Sequence, residues 1–289
     1  MIILERVYTR VKYLFILEET IWIQWVLAWM VKNMGLIDGH LHSIYLSWHD
    51  LSLMVEEGVD GIISLAYTPI PPSNPSSLRD HFEHLMFERT RCGGIGLKAY
   101  IGVGLHPRDI PSNGGVEEYL KVVESYLPRA DVLGEVGLES GSDLEVRVLR
   151  EQLLLAKRLD KPVIVHTPKS NKSEILKKII EVVDEVGLDD EMVLLDHLTP
   201  SPRIIDLVID RDFYLGFTMQ PGKTSPEDVL YLVKTEGDLA ERIVLNSDSG
   251  VYPSYPLAVV EAYDVLVEDL DKVVAYKLVS LNALRFLKQ

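Results

Sequence analysis

From Gly35 onward, short β-branched apolar runs alternate with stretches of helical periodicity, the pattern of repeated βα units and a parallel sheet. Eight strands are predicted, near Leu36–His40, Gly61–Ala66, Ala99–Val103, Val132–Val136, Pro162–His166, Val193–His197, Tyr214–Thr218 and Ile243–Ser247. Helical patterns fill the gaps, as at Ser77–Arg91, Leu144–Leu159 and Ser173–Val186, and Lys272–Leu287 closes the chain. The runs PVIVH and MVLLDH are apolar almost to their last residues, as expected of strands covered on both faces. Eight βα units in 289 residues suit one barrel, which needs roughly 250. The expected fold class is therefore α/β, a (β/α)8 TIM barrel with an additional N-terminal helix.

That extra helix is read from residues 1–33, where Trp22, Trp25 and Trp29 form an i, i+3, i+7 stripe. The apolar stretch Ile21 to Val31 is shorter than the roughly 20 residues of a membrane span. Glu18 and Glu19 precede it where a signal peptide would be basic. A membrane-surface helix or a homo-oligomer contact stays open. Met34 stands just before the first core strand, so an upstream-start reading, with the working domain at 34–289, stands beside that of an added helix.

Composition narrows the function classes. A single cysteine, Cys92, rules out an internal disulfide framework and a cysteine-rich zinc site, and suits a reducing compartment, the cytoplasm. A formal charge of −15 repels nucleic-acid phosphates over most of the surface, which argues against an extensive duplex interface.

The polar residues of the predicted strands gather at their carboxyl ends, which form the catalytic face of a barrel. Strand one ends Asp38-Gly39-His40-Leu41-His42, and alternation points His40 and His42 to one side. Glu135, His166, His197 and Asp248 close strands four, five, six and eight at intervals of 31, 31 and 51 positions, or one, one and about two βα units. A core penalises this many buried imidazoles and carboxylates unless cations satisfy them together. Four histidines and two carboxylates suit two divalent ions, zinc, manganese or similar. One takes His40, His42 and Asp248, the other His166 and His197, and Glu135 reaches both. Such a pair activates a bridging water and polarises the scissile group, and Asp248 could take the proton, which makes Asp248 and Glu135 the catalytic candidates.

Through IDGHLH, GVGLHP, GEVGLE, PVIVH, His197 and Asp248, taken in order, the sequence resembles the TatD-like branch of the amidohydrolase superfamily, from about Gly35 to the C-terminus. The resemblance implies a binuclear barrel that hydrolyses ester bonds, in many relatives the phosphodiester bonds of DNA, with metal ligands at the same six positions. Three departures bear on substrate. Pro168 replaces an arginine two residues after the strand-five histidine, Leu245-Asn246-Ser247-Asp248 replaces Thr-Glu-Thr-Asp, and His197-Leu198-Thr199 replaces His-Cys-Phe.

Other residues near the mouth receive lesser roles. His106, before Pro107, is read as a substrate contact, against a histidine merely satisfied by backbone. Asp38 shares the face of His40, where it could orient a ligand or simply pack. Asp196 is set aside because alternation points it outward. The run Gly216 to Thr224 mimics a phosphate loop but has one residue too many between its glycines for a nucleotide site. Its Lys223 could contact a phosphate where Pro168 does not, or stand solvated on the loop. His49, His81 and His84 lie in helical patterns and are read as surface or packing residues.

Three functions follow. A phosphoesterase acting on a small phosphoester or a nucleic-acid end leads. A hydrolase of a neutral ester, lactone or cyclic amide is favoured by the acidic surface and Pro168. A metal-binding interaction protein without turnover would use the tryptophan-rich helix.

Overall fold

The computed structural model describes residues 35–111, 114–251 and 254–288. The tryptophan stripe expected within residues 1–33 lies outside them. Eight strands form one parallel sheet in chain order: β1 Leu36–Leu41, β2 Val59–Leu65, β3 Lys98–Val103, β4 Val132–Gly137, β5 Val163–His166, β6 Val193–Asp196, β7 Tyr214–Thr218 and β8 Ile243–Asn246. Past the last strand the Asp248 N–H donates to the His40 carbonyl (2.9 Å) and the His42 N–H to the Ser249 carbonyl (2.7 Å). These bonds stitch the exit of β8 to that of β1 and complete a TIM barrel.

The outer helices are α1 Trp48–Glu56, α2 Pro75–Gly93, α3 Val116–Tyr126, α4 Asp143–Leu159, α5 Lys172–Val186, α6 Pro202–Ile205, α7 Pro226–Thr235 and α8 Ala258–Asp269. Local chemistry sets several starts. Ser47 with Asp50, and Ser225 with Asp228, form reciprocal capping boxes at α1 and α7, and Asn74 caps α2 ahead of Pro75. The predicted closing helix is instead three pieces, α9 Lys272–Tyr276, a π-helical turn Lys277–Leu281 and α10 Asn282–Phe286. At the junction the buried Asn282 amide donates to the carbonyls of Ala240 and Ile243, tying this segment to the start of β8. No helix of the described residues is long and apolar enough to cross a membrane.

Inside the barrel, Ile37, Ile63, Leu65, Tyr100, Val132, Ile164, Leu194 and Val244 form one apolar cluster, against which Ala283, Phe286 and Leu287 pack. Several of these lie near strand starts, so α10 seals the barrel at the end opposite the polar mouth. Close packing below leaves the strand exits above as the place where polar groups collect. One boundary differs consequentially from the alternation pattern. The β6 ladder ends at Asp196, because His197 takes a left-handed φ of 56°.

Candidate metal centre

The six residues singled out at strand exits converge at the mouth, and all but His197 are nearly completely buried. On β1 the pleat turns His40 and His42 the same way, their rings edge-on with centroids 4.9 Å apart. His42 Nδ1 lies 3.0 Å from the Leu65 carbonyl, which can only accept, so that nitrogen donates and Nε2 points at Asp248 Oδ1, 3.3 Å away. Asp248 reaches this position through its own left-handed backbone, φ 50°.

Glu135, at the end of β4, stands between the two halves of the cluster. Its Oε1 is 2.8 Å from His166 Nδ1 and 3.0 Å from His197 Nε2, while its Oε2 faces His40 Nε2 at 3.6 Å. Burial works against ionisation of this carboxyl, but His40 and His166 outweigh it and hold it well below the usual carboxylate range. Burial likewise opposes the charge on Asp248, which its hydrogen bond with His42 and the nearby His197, His40 and Lys223 keep ionised. Burial opposes a charged His40 ring too, yet Glu135 and Asp196 raise its pKa to about 9.

Three groups could each hold a divalent ion, with ligand atoms within 4.8 Å of one another: His40, His42 and Asp248; His40, Asp196 and His197; and His106, Glu135 and His166. The donor set fits such ions. His40 Nε2 is buried without a hydrogen-bond partner and looks across at a carboxylate oxygen, an arrangement that a cation between them satisfies.

His106 differs from the other imidazoles. Its Nδ1 accepts the Arg108 backbone N–H (3.1 Å), so in the neutral ring Nε2 carries the proton and points into the site, 3.8 Å from Glu135 Oε2. Burial pushes its pKa down to about 3, which keeps the ring neutral. It is thus a donor facing the mouth. Tyr67 stands against both His42 and His106, with ring centroids 4.9 and 5.7 Å away, as one wall. Lys223 leans in from the loop after β7, with Nζ 2.7 Å from Asp248 Oδ2 and 3.4 Å from His197 Nδ1.

Strict alternation was misleading at Asp196. The residue is fully buried at the mouth, because the backbone twist at His197 ends the strand pleat and lets neighbouring residues both face the site. Its carboxylate accepts from His40 Nδ1, from the His197 N–H (2.7 Å) and from the Asn246 amide (2.8 Å). Asp38 holds the backbone at this point: its Oδ1 accepts the N–H groups of His40 and Ser247, tying β1 to the end of β8.

Two further groups carry little sequence signal. Glu139, four residues past Glu135 in GEVGLE, accepts from His166 Nε2 (3.0 Å) and pairs through both oxygens with Arg108. Lys172, at the start of α5, reaches Thr167 Oγ1 (2.9 Å) and the His197 carbonyl, joining the exits of β5 and β6. A second acid within the motif hints at Glu139; nothing local marks Lys172. His49, His81 and His84 lie on α1 and α2, outside the three groups.

Comparison with known proteins gives the family and the fold. Residues 37–275 match the family model of TatD related DNase. An uncharacterized metal-dependent hydrolase of Methanocaldococcus jannaschii is 36% identical over 219 residues, covering 74% of this chain and 84% of that protein. The crystal structure of a TatD-like protein from Archaeoglobus fulgidus superposes with a TM-score of 0.73 at 32% identity, covering 88% of this chain and 100% of the other. The phosphotriesterase homology protein of Escherichia coli, complexed with phosphate in its active site, shares the fold at a TM-score of 0.66 and 15% identity, covering 88% and 99% of the two chains.

Proposed function

Because this chain belongs to the TatD family of metal-dependent hydrolases, we propose that it is a binuclear hydrolase of ester bonds, with phosphodiesters the leading substrate class. The observation that carries the reading is the division of the Glu135 carboxylate, Oε1 toward His166 and His197 and Oε2 toward His40. One divalent ion would be held by His40, His42 and Asp248 and a second by His166 and His197, with Glu135 reaching both. Bound there, the ions supply Lewis acidity and make water acidic enough to deprotonate near neutral pH.

The protein's own groups supply the rest. Asp248 Oδ2 is the acceptor for the proton of the attacking water, once Lys223 leaves it for the substrate. Lys223 then faces an anionic oxygen, in the role that Pro168 leaves unfilled. The His106 Nε2–H donates to an oxygen of the scissile group, and a neutral donor does so without competing for Asp248. Ligands buried at the end of a barrel suit a small ester or the end of a single strand, not a long duplex.

A second reading, hydrolysis of a neutral ester, lactone or cyclic amide, draws support from the apolar Pro168, buried beside the site, and from the formal charge of −15. The deciding experiment is hydrolysis of bis(p-nitrophenyl) phosphate, a phenyl ester and a lactone after metal removal and restoration, with Asp248→Asn and Glu135→Gln controls. Phosphodiester cleavage that returns with metal and is lost in both variants supports the proposal. Turnover of only the ester or lactone moves the assignment to the second reading. Bound metal with no turnover of any of the three overturns the phosphoesterase assignment and calls for a wider substrate screen before a binding role is favoured.

A further inference from the structure

We infer that Asp196 is the positioning residue of this centre: it fixes the His40 tautomer so that Nε2 faces the metal, and it anchors the backbone from which His197 reaches in. The inference rests on the metal-hydrolase reading above and concerns how the centre is built.

The carboxylate is fully buried and its surroundings are shaped for it from several strand ends. Oδ2 takes His40 Nδ1, at the end of β1. Oδ1 takes the His197 N–H at 2.7 Å and the Asn246 amide, at the end of β8, at 2.8 Å. Thr167, beyond β5, donates its hydroxyl to the Asp196 carbonyl at 2.6 Å. On β7, position 216 is glycine, and any side chain there would collide with Asp196 Oδ1. A buried carboxylate with three donors and a space cleared for it is a built feature, because a lone buried charge is strongly unfavourable.

The consequence for His40 follows from hydrogen-bond roles. A carboxylate only accepts, so His40 Nδ1 must carry a proton, and the lone pair of the neutral ring is then at Nε2. That nitrogen is buried, has no hydrogen-bond partner and faces Glu135 Oε2 at 3.6 Å. A carboxylate behind an imidazole in this way sets ring orientation and strengthens the metal-facing nitrogen. The second oxygen extends the effect: the N–H of His197 is held while its ring is turned by Thr218 Oγ1, 2.7 Å from Nδ1, so that Nε2 faces Glu135. One side chain therefore organises a ligand on each side of the bridging carboxylate. Asparagine cannot replace it, since an amide presents a donor at one end, where Asp196 meets only donors.

The test is titration of the metal-free full chain with Zn2+, followed by calorimetry, for wild type and Asp196→Asn. Circular dichroism checks the fold. The expected result is two ions on the wild type, with at least one bound about 10–100-fold more weakly by the variant. Two ions bound by a folded variant as tightly as by wild type would overturn the inference. Should the variant not fold, 15N spectra of histidine-labelled wild type loaded with Zn2+ decide: His40 must carry its proton on Nδ1 and its metal on Nε2, and the reverse tautomer overturns the inference. A wild type that binds no ion fails the proposed function itself, which separates the two.

Discussion

Lys223 Nζ lies 2.7 Å from Asp248 Oδ2, so a cation on the loop after β7 rests on the carboxylate that closes β8. The pair joins the residue proposed to meet substrate to the residue proposed to take the proton. Replacing Lys223 with methionine should lower kcat/KM for a phosphodiester about 10–100-fold, the scale of one lost hydrogen bond to a charged group. Turnover of a neutral ester should be unaffected. Parallel kinetics on the two substrates check this, and equal losses on both would remove Lys223 from anion recognition.

Glu135→Gln should leave the fold intact and abolish the shared position. A neutral amide cannot offer an anionic oxygen to each side, so metal content after dialysis should fall from two ions to one. The rate should drop by at least about 100-fold, comparable to removing one group that stabilises developing charge. Elemental analysis beside kinetics is the measurement, and full metal content in the variant would contradict the bridging role.

Metal binding should release protons and tighten with pH. Burial alone would lower the His40 pKa, but Glu135 and Asp196 raise it to about 9 in the metal-free protein, so the ring is protonated at neutral pH and must lose that proton to become a ligand. Affinity for Zn2+ should rise about tenfold per pH unit toward that value if one proton is displaced. The linkage to folding runs the same way. Because the folded pKa lies above the unfolded one, charged His40 stabilises the metal-free fold fully below about 6.5, and this contribution is lost as pH rises through about 9. Calorimetry in buffers of different ionisation enthalpy counts the protons; none released would refute the assignment of His40.

Phe286→Ala should destabilise the barrel by about 3–5 kcal/mol through the cavity it opens, while leaving Zn2+ affinity of the folded fraction unchanged. Phe286 is buried against the apolar cluster that α10 seals, at the end away from the mouth, and its ring meets Tyr214 edge-on at 5.4 Å. Urea unfolding reads the first quantity and calorimetry the second.

By itself the sequence determined the architecture and the roster of chemistry. Near-continuous apolar runs separated by helical patterns demand a parallel sheet, and eight of them in order leave a barrel as the economical solution. Imidazoles and carboxylates at strand exits, phased by βα units, announce a shared mouth, and the structure gathers His40, His42, Glu135, His166, His197 and Asp248 there. What only the tertiary structure decided is where alternation breaks. The left-handed φ of His197 turns Asp196 inward, against the rule that neighbours on a strand oppose one another, and no residue type at 196 or 197 forces that backbone. The same holds for Lys172 and Arg108. Both stand beyond strand ends, where loop geometry directs long side chains onto Thr167, the His197 carbonyl and Glu139. Strand periodicity is a local property carried by each residue in turn, whereas contacts such as Lys172 with the His197 carbonyl and His40 with Asp196 join residues 25 and 156 positions apart and exist only once the barrel has closed.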